Sequence, residues 1–168
     1  GQHLLSLIND ILDVSKIESG KVVLTVEEFT LSDLVSSVDA IIRPMAKAKN
    51  QEFHIEVTGI KCEYLMGDET RMNQILINLL SNAVKYTPSG GISIYLEEGE
   101  HKIEEGEKRV DAILVIKDTG IGIRKEDQPR IFEKGFTGYN GRMNKKSTGI
   151  GLYLCKQAAD KLSHKIVM

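Results

Sequence analysis

The 168-residue chain has no tryptophan, and phenylalanine and tyrosine together make up only 5% of it. So few flat rings leave little from which to build a sugar-binding or single-strand-stacking surface. Two cysteines, Cys62 and Cys155, are too few for a disulfide framework. They read as reduced thiols of a cytosolic domain, one bridge being the alternative. An excess of positive charge is also missing, because 22 Lys and Arg face 24 Asp and Glu for a formal net charge of −2. That balance removes the electrostatic case for a nucleic-acid or anionic-membrane partner. No apolar run approaches the ~18 residues that a transmembrane helix needs, and no signal peptide is present. What remains is an ordinary globular composition, 41% apolar and 27% charged, in a chain of single-domain length. Such a chain can withdraw roughly 70% of its extended surface from water. It starts without Met and inside a helical pattern, so it is expected to be a fragment, and its parent could be membrane-bound.

Residues 3–18 carry two adjacent apolar stripes, Leu4, Leu7, Ile11, Val14 and Leu5, Ile8, Leu12, before Gly20 stops the pattern. This is wider than one partner requires and predicts a helix within a bundle. Alternation predicts strands over Lys21–Phe29 and Gln51–Val57. Between them Thr30 to Asp33 offers a helix start, with a kink or ragged turn at Pro44. Gly67 and Asp68 open a second helix that lasts to about Tyr86 and is closed by Pro88, Gly90 and Gly91. Strands at Ile92–Leu96 and Val110–Ile116 flank a charged hairpin, Glu97–Arg109. A long glycine-containing loop follows from Thr119 to Thr148, with a short helical stretch at Gln128–Phe132. Loops of that length in compact domains are usually functional. A last helix is predicted from Gly149 to Leu162, then the beginning of a strand at Lys165–Met168.

The helix at 68–86 has its polar residues in an unusual place. At 100° per residue Arg71, Gln74, Asn78, Asn82 and Lys85 fall within about 80° of each other, and apolar residues cover nearly all the rest. A stripe of amides and cations on a helix buried all round must face water or a polar ligand, and amide oxygens beside positive charge suit a metal-bound polyphosphate. Asp118-Thr119-Gly120-Ile121-Gly122-Ile123 follows a strand, where glycines let the backbone approach a flat ligand and a buried Asp can accept from an exocyclic amino group. A plain β-turn explains that motif alone equally simply. Thr148-Gly149-Ile150-Gly151-Leu152 opens a helix, where free N–H groups favour phosphate. It lacks the lysine and spacing of a Walker loop. Two glycine pairs flanking one loop point to a nucleotide held between a strand end and a helix start, beneath a lid.

Four segments, N-L-L-S-N-A-V-K-Y-T at 78–87, D-T-G-I-G-I at 118–123, I-F-E-K-G-F at 131–136 and S-T-G-I-G-L at 147–152, resemble the N, first glycine, F and second glycine boxes of sensor histidine kinases. They come in the same order and at similar spacing. L-I-N-D-I-L-D-V-S-K-I-E-S-G at 7–20 resembles the end of the second helix of their dimerisation hairpin. The resemblance implies a two-layer α/β sandwich of the Bergerat ATP-binding type over 21–168, lacking its C-terminal strands, preceded by one bundle helix over 1–20. It further implies ATP and Mg²⁺ as ligands, a response regulator receiver domain as partner, and a homodimer through the N-terminal helix. Carried over by position, Asp118 would hold the adenine amino group, with room supplied by Gly120 and Gly122. Asn82 would be the metal ligand, Asn78 and Lys85 would contact phosphates or their waters, and Tyr86 would lie by the base or ribose. Thr148, Gly149, Gly151 and Leu152 would meet the phosphates, and Phe132 and Phe136 would anchor the lid.

In related ATPases such as gyrase and MutL a glutamate four residues before the magnesium-binding Asn activates water, and the resemblance puts Asn78 in that place. An amide cannot act as general base, so transfer to a positioned acceptor is favoured over hydrolysis. Two other readings are a nucleotide-binding regulatory module without phosphotransfer and an anti-sigma-type serine kinase, the latter disfavoured by residues 7–20. The acceptor histidine of the family, followed by an acidic residue, has no counterpart here. His3 is followed by Leu4, and His54, His101 and His164 lack an acceptor's setting. In-line transfer needs the acceptor within roughly 3–3.5 Å of phosphorus, so the chain alone is expected not to phosphorylate itself on histidine. Incubation with γ-labelled ATP checks this. Stoichiometric label that is lost in acid and kept in alkali would show that one of the four histidines is an acceptor.

Overall fold

The computed structural model describes residues 25–58, 60, 63–134 and 136. In chain order these form β1 (Glu27–Thr30), α1 (Leu31–Ala48), β2 (Glu52–Val57), β3 (Tyr64–Gly67), α2 (Glu69–Lys85), β4 (Gly91–Glu104), β5 (Glu107–Asp118) and a short 3₁₀ turn at Gln128–Arg130. β1 pairs with β3, and β2, β4 and β5 make a mixed sheet in that order. β2 runs parallel to β4, and β5 runs antiparallel to it. The chain divides into two compact units. One consists of Thr30–Leu65 and Leu80–Ile121; the described residues of the other are 25–29, 66–79, 122–134 and 136.

α1 begins as its sequence predicts. Thr30 is extended (φ −88°, ψ 142°) and its Oγ1 accepts from the Asp33 N–H at 3.1 Å, so one of the donors orphaned by the helix start is satisfied. Leu31, Leu34, Val38, Ile42 and Ala46, spaced three or four apart, are all buried. Each large apolar side chain removed from water there contributes about 1.5–3 kcal/mol. That packing outweighs the cost of Pro44: the expected ragged turn does not occur, and the helix continues to Ala48. Ile42 and Ala46 are buried on either side of the proline. Arg43 anchors the same turn to β2, its Nη1 donating to the Phe53 carbonyl at 3.2 Å and its guanidinium lying 5.1 Å from the Phe53 ring centre.

In the three-stranded sheet Ile92, Ile94 and Leu96 of β4 are buried and stand opposite Phe53, Ile55 and Val57 of β2. On the other side Ile94 and Leu96 face Ile116 and Leu114 of β5. Strand periodicity thus gathers one apolar face. The opposite face carries Tyr95, with His54 at 6.5 Å in a T-shaped arrangement and Lys117 Nζ 5.2 Å from its ring centre. α1 packs against β2, and an apolar sheet face backed by a polar one fits the two-layer α/β sandwich that the resemblance implies.

Two expectations change, and one strand is unforeseen. The strand foreseen over Lys21–Phe29 is Glu27–Thr30 among the described residues, and Lys21 to Leu24 lie outside them. The hairpin foreseen over Glu97–Arg109 is strand almost throughout, its turn being only Glu105 (φ 51°) and Gly106 (φ 81°). Two consecutive left-handed residues make the tight turn that suits the twist of paired strands, and the pairing runs from Ile92↔Asp118 to Glu104↔Glu107 with one irregularity between Glu98 and His101. Glu97, Glu100, His101, Lys102 and Ile103 are exposed, so this part of the ribbon needs no apolar face. β3 has no strand signal in the sequence, being four residues long. The predicted helices at 3–18 and 149–162 and the strand at 165–168 lie outside the described residues.

Replacing the cap tests the account of α1. Thr30→Ala should lower unfolding free energy by about 1 kcal/mol, and Thr30→Ser should retain most of it. Denaturant titration, with the midpoint moved at unchanged slope, is the measurement.

Candidate functional site

α2 starts at a buried aspartate. Asp68 Oδ1 accepts from Arg71 N and its Oδ2 from Thr25 N, each at 3.0 Å, so one side chain caps the helix and fastens the residues leading into β1. From Arg71 to Lys85 no residue of the helix is exposed, as its sequence demands. Ile75, Leu76, Leu80, Ala83 and Val84 are buried, while Arg71, Gln74, Asn78, Asn82 and Lys85 are all half-buried along the polar stripe. Arg71 Nη1 donates to Gln74 Oε1 at 2.9 Å. At the far end Tyr86 N donates to the Asn82 carbonyl at 3.0 Å, and Lys85 Nζ lies 5.2 Å from the Tyr86 ring centre.

Where α2 ends, the first glycine motif begins its contacts. Ile121 N donates to the Tyr86 carbonyl at 3.0 Å. Asp118 is exposed rather than buried as expected, because it stands at the end of β5; its Oδ1 accepts from Gly120 N at 2.9 Å, folding the carboxylate back over the turn. A Cβ on Gly120 would stand 2.7 Å from Asp118 Oδ1 and 2.9 Å from Thr87 Oγ1, and closer still to the Tyr86 carbonyl oxygen. Only glycine fits so tight an approach, since one obstacle is backbone. Gly122 is required for a different reason: nothing lies within 4 Å of its Cβ position, but its φ is +71°. Thr119 completes the join, its Oγ1 accepting from Gly91 N at 3.0 Å and its N–H donating to the Gly91 carbonyl at 3.1 Å. Asn82, Lys85, Tyr86, Asp118 and Gly120 therefore belong to one unit, built from the end of α2 and the end of β5.

Asn78 and Gly122 fall in the other unit, with Phe132 and Phe136. There Ile131 is buried, Phe132 and Phe136 are half-buried, and the Arg130 guanidinium lies 4.4 Å from the Phe136 ring centre while bonding Glu133 at 3.1 Å. Gln128 Nε2 donates to the Ile123 carbonyl at 3.1 Å, holding the segment after the glycines. Thr148, Gly149, Gly151 and Leu152 lie outside the described residues.

Three contributors escape a reading of motifs. Gln51 is buried, and its Nε2 donates to the carbonyls of Val84 (2.9 Å) and Thr87. Lys49 Nζ donates to the Val84 carbonyl at 2.5 Å. Thr87 is fully buried beside Gly120. Thr87 sits within the N-L-L-S-N-A-V-K-Y-T segment, which carried the signal; Lys49 and Gln51 lie in a turn without one. The arrangement presents a carboxylate acceptor beside close-packed backbone and, within the last turn of α2, the Asn82 amide and the Lys85 cation. An amino-bearing ring and a charged polyphosphate are the chemistry that such a surface accommodates.

Comparison with known proteins shows the family. The family described as "Histidine kinase-, DNA gyrase B-, and HSP90-like ATPase" matches residues 67–168. The autoinducer 2 sensor kinase/phosphatase LuxQ of Vibrio cholerae is 35% identical over 167 residues, covering 99% of this chain. The chain spans only 19% of that relative. Among solved structures, full-length ShkA in complex with AMPPNP superposes with a TM-score of 0.74 at 27% identity, covering 96% of this chain and 31% of its own. The histidine kinase ThkA in complex with the response regulator protein TrrA gives 0.66 at 25% identity, covering 97% of this chain and 42% of its own. Sequence boxes, sheet order and these likenesses coincide, and the chain belongs to the histidine kinase-, DNA gyrase B- and HSP90-like ATPase family.

Proposed function

We propose that the chain is the ATP-binding catalytic part of a two-component sensor histidine kinase and that it passes the γ-phosphate to a histidine borne by another helix of its parent. The observation that carries the reading is the junction at Tyr86, where the polar stripe of α2 ends against the Asp118–Gly120 turn. The ShkA structure, in complex with AMPPNP, supports an adenine nucleotide as the ligand. Asp118 would accept from the adenine amino group, and Gly120 lets the turn close against the Tyr86 carbonyl beside it. Lys85 and Asn78 would meet phosphates or their waters, and Tyr86 would flank the base or ribose. Thr148, Gly149, Gly151 and Leu152 would take the remaining phosphate contacts, with Phe132 and Phe136 holding the lid.

Asn82 would hold Mg²⁺ through its side-chain oxygen, a hard donor of the kind this ion takes. When bound, the ion neutralises charge on the β- and γ-phosphates. With the amide of Asn78 where related ATPases have a glutamate, the chain offers no general base there, and its own residues bind and orient the nucleotide for a positioned acceptor. Residues 1–20 would form the second helix of the dimerisation hairpin and residues 21–168 the catalytic domain. The partners on this reading are a second copy of the chain through the N-terminal helix and a response regulator receiver domain, the latter supported by the ThkA–TrrA complex. The family reading implies a cytoplasmic catalytic part of its parent; separately, no described helix is long and apolar enough to cross a membrane.

Calorimetric titration with ATP in Mg²⁺ tests the assignment. Asp118→Asn and Asn82→Ala should each weaken binding about tenfold or more, the loss of one charge-assisted or metal contact. Chelating the metal should bring the wild-type chain close to Asn82→Ala and leave that variant nearly unchanged. Wild-type affinity in both variants would overturn the site.

A further inference from the structure

Thr87 has no exposed surface, and its Oγ1 has no hydrogen-bond partner among the described residues. Folded proteins leave few buried polar atoms unsatisfied, so such a hydroxyl needs a reason. The backbone around it is held firmly. Gln51 Nε2 binds the Thr87 carbonyl, and Ile121 N binds the carbonyl of the preceding residue at 3.0 Å. The side chain is therefore fixed in place by neighbours that do not use its hydroxyl. That hydroxyl and Asp118 Oδ1 flank one small volume beside Gly120, at 2.9 and 2.7 Å from the point where a Cβ would stand. Asp118 Oδ1 accepts a bond from Gly120 N, and a carboxylate has capacity for several more.

We propose that Thr87 is a positioning residue for base recognition: when nucleotide binds, its hydroxyl donates to the Asp118 carboxylate and fixes that group's direction toward the amino group of adenine. The inference rests on the adenine-nucleotide reading of the site. It also gives Thr87 a part in specificity. A carboxylate held rigidly as acceptor favours the adenine amino group over the carbonyl oxygen that guanine presents at the same position, and discrimination of this kind weakens when the acceptor can turn away. In the unliganded chain no described residue bonds the buried hydroxyl. Its removal should then act oppositely on folding and on binding, which a purely structural residue would not do.

The experiment compares ATP and GTP binding by titration, with thermal unfolding in parallel, for the wild-type chain and the variants Thr87→Val, Thr87→Ala, Thr87→Ser and Asp118→Asn. Thr87→Val should melt at or above the wild-type temperature, bind ATP about tenfold more weakly, and shift GTP affinity less, so that the ATP-to-GTP ratio falls. Thr87→Ser, which keeps the hydroxyl, should restore the ratio. Should the valine variant fail to fold, Thr87→Ala supplies the same deletion without added volume. A folded, hydroxyl-free variant with wild-type ATP and GTP affinities would overturn the inference, as would a loss that serine does not rescue. Those results leave the site reading intact so long as Asp118→Asn binds weakly. Wild-type affinity in Asp118→Asn, or no ATP binding by the wild-type chain, would overturn the site reading and this inference with it.

Discussion

The last carbonyls of α2 are satisfied from outside the helix. A helix leaves its final carbonyl oxygens without partners in its own backbone, and here the turn before β2 supplies them. Lys49 Nζ reaches the carbonyls of Val84 and Lys85 at 2.5 and 3.4 Å, and Gln51 Nε2 reaches those of Val84 and Thr87. The ammonium group also meets the negative end of the helix dipole. Because the chain leaves α2 in this fixed direction, the Tyr86 carbonyl is presented to Ile121 N and the Thr87 side chain to Gly120. The Asp118 turn is thus packed against a helix terminus that residues far away in the sequence have already placed. Without the Gln51 amide the Val84 carbonyl would keep Lys49, but the Thr87 carbonyl would lose this donor in a buried setting, at about 1–3 kcal/mol if left unpaired.

α2 was the most legible element because two signals agreed: a 3.6-residue apolar period and a polar stripe too narrow for an ordinary surface helix. Its observed burial from Arg71 onward follows from that composition. Thr30 and Asp68 were equally readable, since N-caps act within three residues of their own position. The extent of the β4–β5 ribbon is hard to read for the same local reason. Its charged residues give no alternation against a core, and its turn signal, Glu105-Gly106, is two residues inside a longer run of similar chemistry. Gln51 was invisible because its partners lie 33 and 36 residues away. A single glutamine beside a strand carries no mark of what it will bind. Pro44 was read by its intrinsic cost of roughly 3 kcal/mol in a helix interior, which the buried positions around it exceed.

Within D-T-G-I-G-I the two glycines satisfy independent constraints. Gly120 is small because the end of α2 comes so close, and Gly122 is achiral because the backbone turns left-handed there. The spacing of two is the distance between a packing contact and a change of chain direction. A loose consensus of this kind is weak in isolation because either requirement occurs in many turns. It gains meaning here from what the first glycine touches, which is the carbonyl of Tyr86 at the end of the polar stripe.

The ribbon that outruns its sheet has a colloidal consequence. β2 accompanies β4 only as far as Val57↔Leu96, so from Glu97 to Glu104 the outer edge of β4 has no strand beside it among the described residues. An open edge of that length is a template for pairing with the same edge of another molecule. The segment reads E-E-G-E-H-K-I, with a bulge-like irregularity between Glu98 and His101. Dense charge and a broken register are the devices by which natural sheets discourage such stacking. The acidic residues that look like mere solvation therefore serve as gatekeepers against fibre growth, and their value rises with the concentration at which the protein is kept.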